Sequence, residues 1–229
     1  MLKHHFYAAF IRFPSVLLLV VLAAGIFMAG SAVAQADISG GSAKGFTGVS
    51  IFTATGLQYA MVDGSDLRVR GTDIALPSVR ETTQGTLWVV GLDYTHVFAK
   101  QFSLGVQAEY QPSKDQIALS MSPGYVFNDR VMGYLRLGWA SVPTTIDQGP
   151  GSPSVEKNLN AYFGGIGAKV NLDRGVFVFA EIRYARVDRF DFVSSANVSL
   201  VPGQSMTVPV QGSADTTAIN TFIGLGYRF

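Results

Sequence analysis

Residues 217–229 decide the fold of this chain, and they read Thr217-Ala-Ile-Asn-Thr-Phe-Ile-Gly-Leu-Gly-Tyr-Arg-Phe229. Alternation with a period of two predicts a β-strand whose two faces meet different surroundings. Its outer positions are apolar apart from one threonine, whereas the positions between them include two glycines, an asparagine and an arginine. The apolar face carries Ile219, Thr221, Ile223, Leu225, Tyr227 and Phe229.

The same alternation recurs along the chain in segments separated by turn signals. Repeated alternating segments of about ten residues are typical of a transmembrane β-barrel. The expected fold class is therefore all-β, an eight-stranded antiparallel up-and-down transmembrane β-barrel. The first segment is the least regular, because Thr53 and Thr55 interrupt its apolar face. The predicted strands lie at residues 45–62, 86–98, 102–112, 116–127, 131–142, 158–172, 176–190 and 217–229.

The overall composition agrees with a membrane barrel. Hydrophobic residues make up 48% of the chain, yet after residue 34 no apolar run approaches the roughly 18 residues that a membrane helix needs. A barrel resolves this conflict, because it alternates lipid-facing and lumen-facing residues. The chain has no cysteine, so disulfides and thiolate metal sites are excluded.

The N-terminal segment predicts export. Lys3 and Arg12 precede an apolar run that starts at Val16, and Ala32-Val-Ala34 provides small residues at a cleavage site. We expect residues 1–34 to be a signal peptide, residues 35–44 a short periplasmic segment and residues 45–229 the barrel domain. Removing the signal lowers the basic residues from 17 to 15 against 16 acidic ones, a net charge of −1. That balance offers no basic footprint for nucleic acid.

The connections between the predicted strands indicate the orientation in the membrane. Three of them, at residues 99–101, 128–130 and 173–175, are short and polar, whereas 63–85, 143–157 and 191–216 are long. Outer-membrane barrels have short periplasmic turns and longer extracellular loops, and an even strand count puts both termini in the periplasm. Within 191–216, two short alternating runs surround Pro202-Gly203 and predict a hairpin above the membrane.

Aromatic residues near both ends of the lipid-facing strands predict two girdles. Aromatic side chains favour the headgroup level of a membrane. The outer girdle is expected to contain Trp88, Tyr110, Trp139, Tyr162 and Tyr184, and the inner girdle Phe98, Phe102, Tyr125 and Phe127.

Seven charged residues are predicted to face the lumen. One interpretation is a charged pore lining. The other is a polar network that fills the barrel, because eight strands leave an interior just wide enough for side chains and buried charges need partners. These residues are Asp93, Glu109, Arg136, Lys169, Glu181, Arg183 and Arg228.

The mature chain resembles the small outer-membrane β-barrel proteins of the OmpA/OmpX/OmpW-like superfamily. The most specific part is Ile223-Gly-Leu-Gly-Tyr-Arg-Phe229, and Pro123-Gly-Tyr125 and Glu181-Ile-Arg-Tyr184 are also similar to this group. The resemblance implies that Leu225, Tyr227 and Phe229 form the signal recognised by the barrel-assembly machinery. It also implies a location in the outer membrane, in contact with lipid and lipopolysaccharide. No peptidoglycan-binding domain follows Phe229, so a cell-wall tether is not expected.

Three functions remain open. The first is a structural or surface-interaction role, with residues 63–85 and 191–216 contacting a host or cell-surface ligand. The second is a narrow channel for small or apolar solutes, which predicts a gap in the lumen packing or in the wall. The third is a lipid A-modifying enzyme of the kind that uses a Ser/His pair near the outer leaflet, but His96 is expected at the inner end of its strand and facing lipid. No catalytic, cofactor-binding or metal site is expected.

Overall fold

The computed structural model describes residues 44–98, 101–146, 154–201 and 204–229. The predicted signal peptide and nearly all of segment 35–44 lie outside the described residues. A single turn of 3₁₀ helix, Lys44–Phe46, precedes the sheet. The eight strands are β1 (Gly48–Val69), β2 (Val79–Phe98), β3 (Phe102–Gln111), β4 (Gln116–Val126), β5 (Val131–Ile146), β6 (Val155–Asn171), β7 (Val176–Val201) and β8 (Gln204–Arg228).

The strands close into one barrel in which each strand pairs with its neighbours in sequence and β8 pairs with β1. All pairs are antiparallel, so the predicted up-and-down topology is confirmed. A ring of paired residues that starts at Ser50 and passes through every strand returns to β1 at Ala60, ten residues further on. For eight strands this shear corresponds to a strand tilt of about 43°.

The barrel wall separates an apolar outer surface from a buried lumen. The described residues contain no helix long and apolar enough to cross a membrane. All nine predicted girdle residues lie on the outer face, and rings pack edge to face at its periplasmic end, with centroids 5.5 Å apart for Phe102 and Tyr125. Between the two girdles the exposed side chains include Ile51, Leu57, Leu104, Leu119, Met121, Leu135, Leu137, Ile166, Ile182, Ile223 and Leu225.

The two threonines that weaken the first strand pattern have their hydroxyls satisfied inside the wall. Thr53 Oγ1 donates to the carbonyl of Val89, and Thr55 Oγ1 donates to the carbonyl of Leu87, both at 3.2 Å. Trp88 Nε1 in turn donates to Thr53 Oγ1 at 2.9 Å. Because each hydroxyl is hydrogen-bonded, the outer face of β1 tolerates these polar groups beside lipid.

The short turns follow from local chemistry. In the β4–β5 turn Asn128 Oδ1 accepts the backbone N–H groups of Arg130 and Val131, both at 2.9 Å. The β6–β7 turn contains Arg174 and Gly175 with φ angles of 61° and 82°. Glycine carries this left-handed conformation without steric cost, and asparagine bonds to the backbone that follows it.

Several strands are longer than the sequence pattern predicts. β1 continues to Val69 and β2 begins at Val79, so most of 63–85 is strand rather than loop. Most of the predicted connection 191–216 is also strand, because β7 continues to Val201 and β8 begins at Gln204, and the two pair as the hairpin that the alternating runs predicted. β5 and β6 also extend past their predicted outer ends, to Ile146 and from Val155.

The extracellular rim is uneven. β3 ends at Gln111 and β4 begins at Gln116, so both strands are short at this end of the barrel. The pairing of β2 with β3 therefore stops at Val90. Above that level, residues 79–89 of β2 pair with β1 only, among the described residues. β6 and β7 likewise pair only up to Ala161 and Val187. A four-stranded sheet made of β7, β8, β1 and β2 therefore rises above the rest of the wall.

Candidate functional site

The lumen is the place where the predicted polar network lies, and aromatic rings fill much of it. Five rings each lie over a glycine directly opposite on the neighbouring strand, where a Cβ atom would collide with the ring. Without the glycines these rings could not lie flat against the wall, so the glycines set the packing of the lumen. The pairs are Phe52 with Gly91, Tyr134 with Gly167, Phe163 with Gly138, Phe177 with Gly226 and Phe179 with Gly224.

Two ion pairs cross the lumen. Arg183 on β7 contacts Glu109 on β3 through two nitrogens, with Nη1–Oε2 at 2.5 Å and Nη2–Oε1 at 2.6 Å. Lys169 Nζ on β6 donates to Asp93 Oδ2 on β2 at 2.7 Å. In each pair the two strands are four apart in an eight-strand ring, so each pair joins opposite walls.

Arg136 and Glu181 extend the crossing between Arg183 and Glu109 into a network. Arg136 Nη1 lies 3.2 Å from Glu109 Oε1, and Arg136 Nε lies 2.9 Å from Glu181 Oε2. Glu181 also contacts Arg183 Nε and accepts a hydrogen bond from the Tyr134 hydroxyl at 2.8 Å. All these side chains are buried. Each acid therefore meets a base, as a buried charge requires.

Smaller polar groups and rings complete the network. Asp93 accepts hydrogen bonds from Ser50 and Thr95, both at 3.2 Å. The Arg183 guanidinium lies 4.5 Å from the ring centre of Phe222, and Lys169 Nζ lies 4.6 Å from that of Phe177. Such cation–π contacts add stabilisation where water is excluded.

Little free space remains at this level. A cavity of about 10 Å³ lies between Asp93, Arg136, Lys169 and three phenylalanine rings. That volume is close to the minimum for one water molecule. The charged residues and the rings around this cavity are therefore closely packed.

The segment before β1 packs into the periplasmic mouth. Phe46 is fully buried and packs in a cluster with Val97, Val126, Met132 and Tyr134. The Gly45 carbonyl accepts a hydrogen bond from Asn171 Nδ2 at 2.6 Å, which ties this segment to the end of β6. This short N-terminal turn therefore packs inside the periplasmic end of the barrel.

Arg228 is the seventh predicted lumen charge and lies apart from the other six. Its side chain is buried and its Nη1 lies 3.2 Å from Asn171 Oδ1. Its guanidinium carbon lies 5.5 Å from the ring centre of Phe46 and 5.4 Å from that of Phe177. Six of the predicted charges are therefore brought together as ion pairs, and Arg228 has an amide and two rings instead.

At the extracellular end of the lumen, a side chain from the short β3–β4 connection reaches another strand. Lys114, in the β3–β4 connection, donates from Nζ to Gln58 Oε1 on β1 at 2.6 Å. Burial lowers the pKa of Lys114 below its ordinary value. The lysine of this short connection therefore reaches across to β1.

Above the membrane an ionic cluster holds three strands of the tall sheet. Arg189 Nη2 on β7 donates to Asp66 Oδ2 on β1 at 2.6 Å and to Ser213 Oγ on β8 at 3.0 Å. The pairing register shifts on both sides of this cluster, between Ser65 and Arg68 and between Val187 and Phe190. Arginine bonding across these irregularities gives the extension a defined shape.

The histidine that a lipid A-modifying enzyme would use lies on the outer face of the barrel. His96 is exposed on the outer face and stacks on Phe98, with ring centres 6.4 Å apart. No group of three or more histidine, aspartate or glutamate side chains in the described part of the chain is placed to hold a metal ion.

Sequence reasoning missed the aromatic residues of the lumen. Alternation places Phe52, Phe163, Phe177, Phe179 and Phe222 on the same face as the polar network, but a polar interior was expected there. A signal was present, because pairing β5 with β6, or β7 with β8, puts rings opposite glycines.

A closed eight-stranded barrel with an apolar outer belt, aromatic residues at both ends of that belt and a packed polar lumen defines an integral outer-membrane β-barrel protein. The chain lies in the outer membrane.

Comparisons with solved structures found similar barrels. OprG, an outer membrane protein from Pseudomonas aeruginosa, is 16% identical, with 84% of this chain and 99% of that chain covered and a TM-score of 0.44. Neisserial surface protein A is 12% identical, with 83% and 100% covered and a TM-score of 0.38. Ail, the attachment invasion locus protein of Yersinia pestis, is 14% identical, with 80% and 99% covered and a TM-score of 0.35 in its complex with the heparin analogue sucrose octasulfate. No protein-family model and no curated protein matches the sequence.

Proposed function

We propose that this protein is a non-conducting outer-membrane barrel whose function lies in the tall extracellular sheet, which contacts a host or cell-surface ligand. The observation that carries the proposal is the pair of ion bridges that cross the lumen between opposite walls, Arg183 with Glu109 and Lys169 with Asp93. With the lumen occupied, the extracellular surface is what remains available to a partner.

The tall sheet supports this role by its size and order. β7 and β8 are the longest strands, with 26 and 25 residues, well beyond the roughly 9–11 residues that cross a membrane. The Arg189 cluster and the Arg80–Asp63 ion pair, at 2.5 Å, lie within this extension. A preorganised sheet loses less conformational entropy on binding than a disordered loop does.

Ion conductance in a planar bilayer tests whether the lumen is closed. The protein, purified from outer membranes and shown to be inserted, is expected to give no single-channel steps. Glu109→Gln, which breaks one of the bridges, serves as a positive comparison because it loosens the lumen without changing the wall. Reproducible steps from the unaltered protein would exclude a non-conducting barrel.

A shortened hairpin tests the surface role. Residues 197–207 are replaced by Asn-Gly, a two-residue turn placed between the paired residues Ala196 and Val208, because Pro209 lacks the backbone N–H that such a turn needs. The pairing of β8 with β1 at Val210 and Gln211 is left intact. Adherence of a non-adherent laboratory bacterium to cultured epithelial cells is expected to rise with the full protein and to fall to background with the shortened one.

A matched control replaces residues 71–77, in the β1–β2 connection, by a Gly/Ser linker of equal length. Adherence that survives in this control but not in the shortened hairpin assigns binding to β7 and β8. Absence of adherence with the full protein, when surface display is verified, would count against a host-binding role.

A narrow channel is the second candidate, because the pairing of two neighbouring strands is interrupted in the wall. The pairing of β4 with β5 is broken between Met121 and Gly124, at Pro123, which lacks a backbone N–H. On the lumen side this break faces Ser122 and Arg136, both buried. Uptake of a small apolar solute that depends on Pro123, and is lost in Pro123→Ala, would favour the channel.

The remaining parts of the proposal concern export and surroundings. We propose that residues 1–34 are removed as a signal peptide, that residues 35–44 lie in the periplasm, and that Leu225, Tyr227 and Phe229 direct recognition by the barrel-assembly machinery. The aromatic girdles are proposed to lie at the headgroup level, beside lipid and lipopolysaccharide. No catalytic residue and no cofactor forms part of the proposal.

A further inference from the structure

The side of β2 that faces away from β1 is a free sheet edge above the membrane. β2 pairs with β3 only up to Val90, whereas it pairs with β1 up to Val79. Residues 79–86 are exposed, and in the structure as described no strand pairs with them on that side. β2 is therefore one lateral edge of the tall sheet, and β7 is the other.

The contacts between β2 and β1 show which residues direct their backbone groups to this edge. The carbonyl oxygens of Leu87 and Val89 point toward β1, because each accepts a hydrogen bond from a β1 threonine at 3.2 Å. Successive residues of a strand direct their N–H and C=O groups to opposite sides, and the pairing of β1 with β2 has no register shift. Within 79–86, the residues whose N–H and C=O groups point to the free edge are Arg80, Thr82, Gln84 and Thr86.

This edge lacks the features by which natural proteins protect an exposed strand. Protection usually comes from lysine or proline on the edge strand, from a β-bulge or from a very short strand. Residues 79–89 contain neither lysine nor proline, and they pair with β1 over their whole length in one register. The arginine of this stretch, Arg80, is held against Asp63 at 2.5 Å. An edge of this kind accepts an added strand, which pairs with it through backbone hydrogen bonds.

The position of the edge decides what kind of partner reaches it. An added strand would lie about 4.8 Å from β2 and in line with β3, which occupies the same side of β2 below Val90. A second copy in the same membrane would need its own wall in that place, so it cannot reach the edge. The partner is therefore an extended segment that approaches from outside the cell.

The side chains along the edge define the chemistry of that segment. Thr82, Thr83 and Thr86 favour β-branched residues beside them on a neighbouring strand. Glu81 is exposed and forms no ion pair with the residues that the structure describes. A basic side chain across from Glu81 is therefore favoured, because opposite charges on paired strands attract.

We propose that residues 79–86 of β2 bind an extended segment of an extracellular protein, which is rich in β-branched residues and carries a basic side chain, by adding it to the tall sheet as a strand. The site lies on the edge of the tall sheet opposite β7 and does not use the β7–β8 hairpin. It therefore goes beyond the surface role tested above, and the two proposals succeed or fail independently.

Binding of a fluorescent octapeptide to the full protein in detergent, followed by fluorescence anisotropy, tests the proposal. The peptide alternates valine and threonine around one lysine, and N-methylation of alternate residues leaves it a single pairing edge, which prevents self-association. Saturable binding of one peptide per barrel is expected. The same peptide N-methylated at every residue should not bind, because it has no backbone N–H to donate.

A matched pair of variants at one residue isolates the edge. Gln84→Pro removes a backbone N–H from the free edge and leaves the hydrogen bonds of β2 to β1 intact, because this N–H points away from β1. Binding should weaken about tenfold or more. Gln84→Thr keeps the N–H and should bind the peptide as the unaltered protein does, as should the variant with the shortened β7–β8 hairpin. Heat-modifiable migration in electrophoresis verifies that each variant is folded.

Three outcomes overturn the proposal. The first is the absence of saturable binding up to about 1 mM peptide. The second is equal binding by the unaltered protein and Gln84→Pro. The third is clumping of cells that display the protein, abolished by Gln84→Pro and seen without any peptide binding, which would assign the edge to a second copy on a facing cell.

Discussion

Replacing Glu109 with glutamine removes one charge from the centre of the lumen network. Glu109 contacts Arg183 at 2.5 and 2.6 Å and Arg136 at 3.2 Å, and its side chain is only 4% exposed. The substitution leaves two buried arginines to share Glu181. Removing one partner of a buried pair costs about 3–5 kcal/mol, which lowers the folding equilibrium constant at least about a hundredfold. Urea unfolding in lipid vesicles, followed by the emission of Trp88 and Trp139, measures the change.

The control is Asp63→Asn, which breaks the Asp63–Arg80 ion pair on the extracellular sheet. Both of these side chains are well exposed, so the loss should stay below about 1 kcal/mol. The double variant Glu109→Leu with Arg183→Met should be less destabilised than Glu109→Gln, because Arg136 and Glu181 then remain as one base with one acid and no buried charge is left in excess. If Glu109→Gln lowers the free energy of unfolding no more than Asp63→Asn does, the view that the lumen ion pairs stabilise the barrel is refuted.

Three other substitutions test the wall, the lipid face and assembly. Gly138→Val should destabilise the barrel by about 1–3 kcal/mol in urea unfolding, because its side chain would meet a lumen ring, whereas Gly85→Val, in open space, should not. Leu135→Arg, on the lipid face, should cost about 2–4 kcal/mol in the same assay if it lies near the bilayer centre, and an unchanged midpoint would place it outside the membrane. Phe229→Ala should reduce the heat-modifiable, folded fraction in cells more than Phe127→Ala, an equally exposed ring at the same end; equal effects would argue against a terminal assembly signal.

The alternation pattern predicted the fold well within the membrane, because lipid and lumen impose opposite demands on successive residues. It correctly predicted that one strand ends at Phe98 and the next begins at Phe102, and these two residues are paired. The predicted number of strands, eight, is also correct. The same pattern failed above the membrane, where both faces of a strand meet water. Residues 79–86 show this, since they are exposed on both faces and form a strand without alternating.

The polar network could be predicted as a set of residues but not as a set of pairs. Parity alone places Glu109 and Arg183 on the inner face. Their contact depends on the shear, which brings positions from opposite strands to the same height, and shear depends on the register of all eight pairs. The separation of Arg228 from the other six charges could not be predicted for the same reason. The sequence shows that the lumen has one more base than acids, but not which base is left without an acid.

The uneven rim gives β2 two kinds of backbone amide. Alternate residues of a strand direct their N–H groups to opposite neighbours. Along residues 79–89 those that face β1 are hydrogen-bonded, whereas those that face away have no strand beside them in the described structure. Hydrogen–deuterium exchange should therefore vary with a period of two along this stretch and become uniformly slow below Val90, where β3 begins to pair. The height at which the barrel becomes a closed cylinder could thus be located in solution from one strand alone.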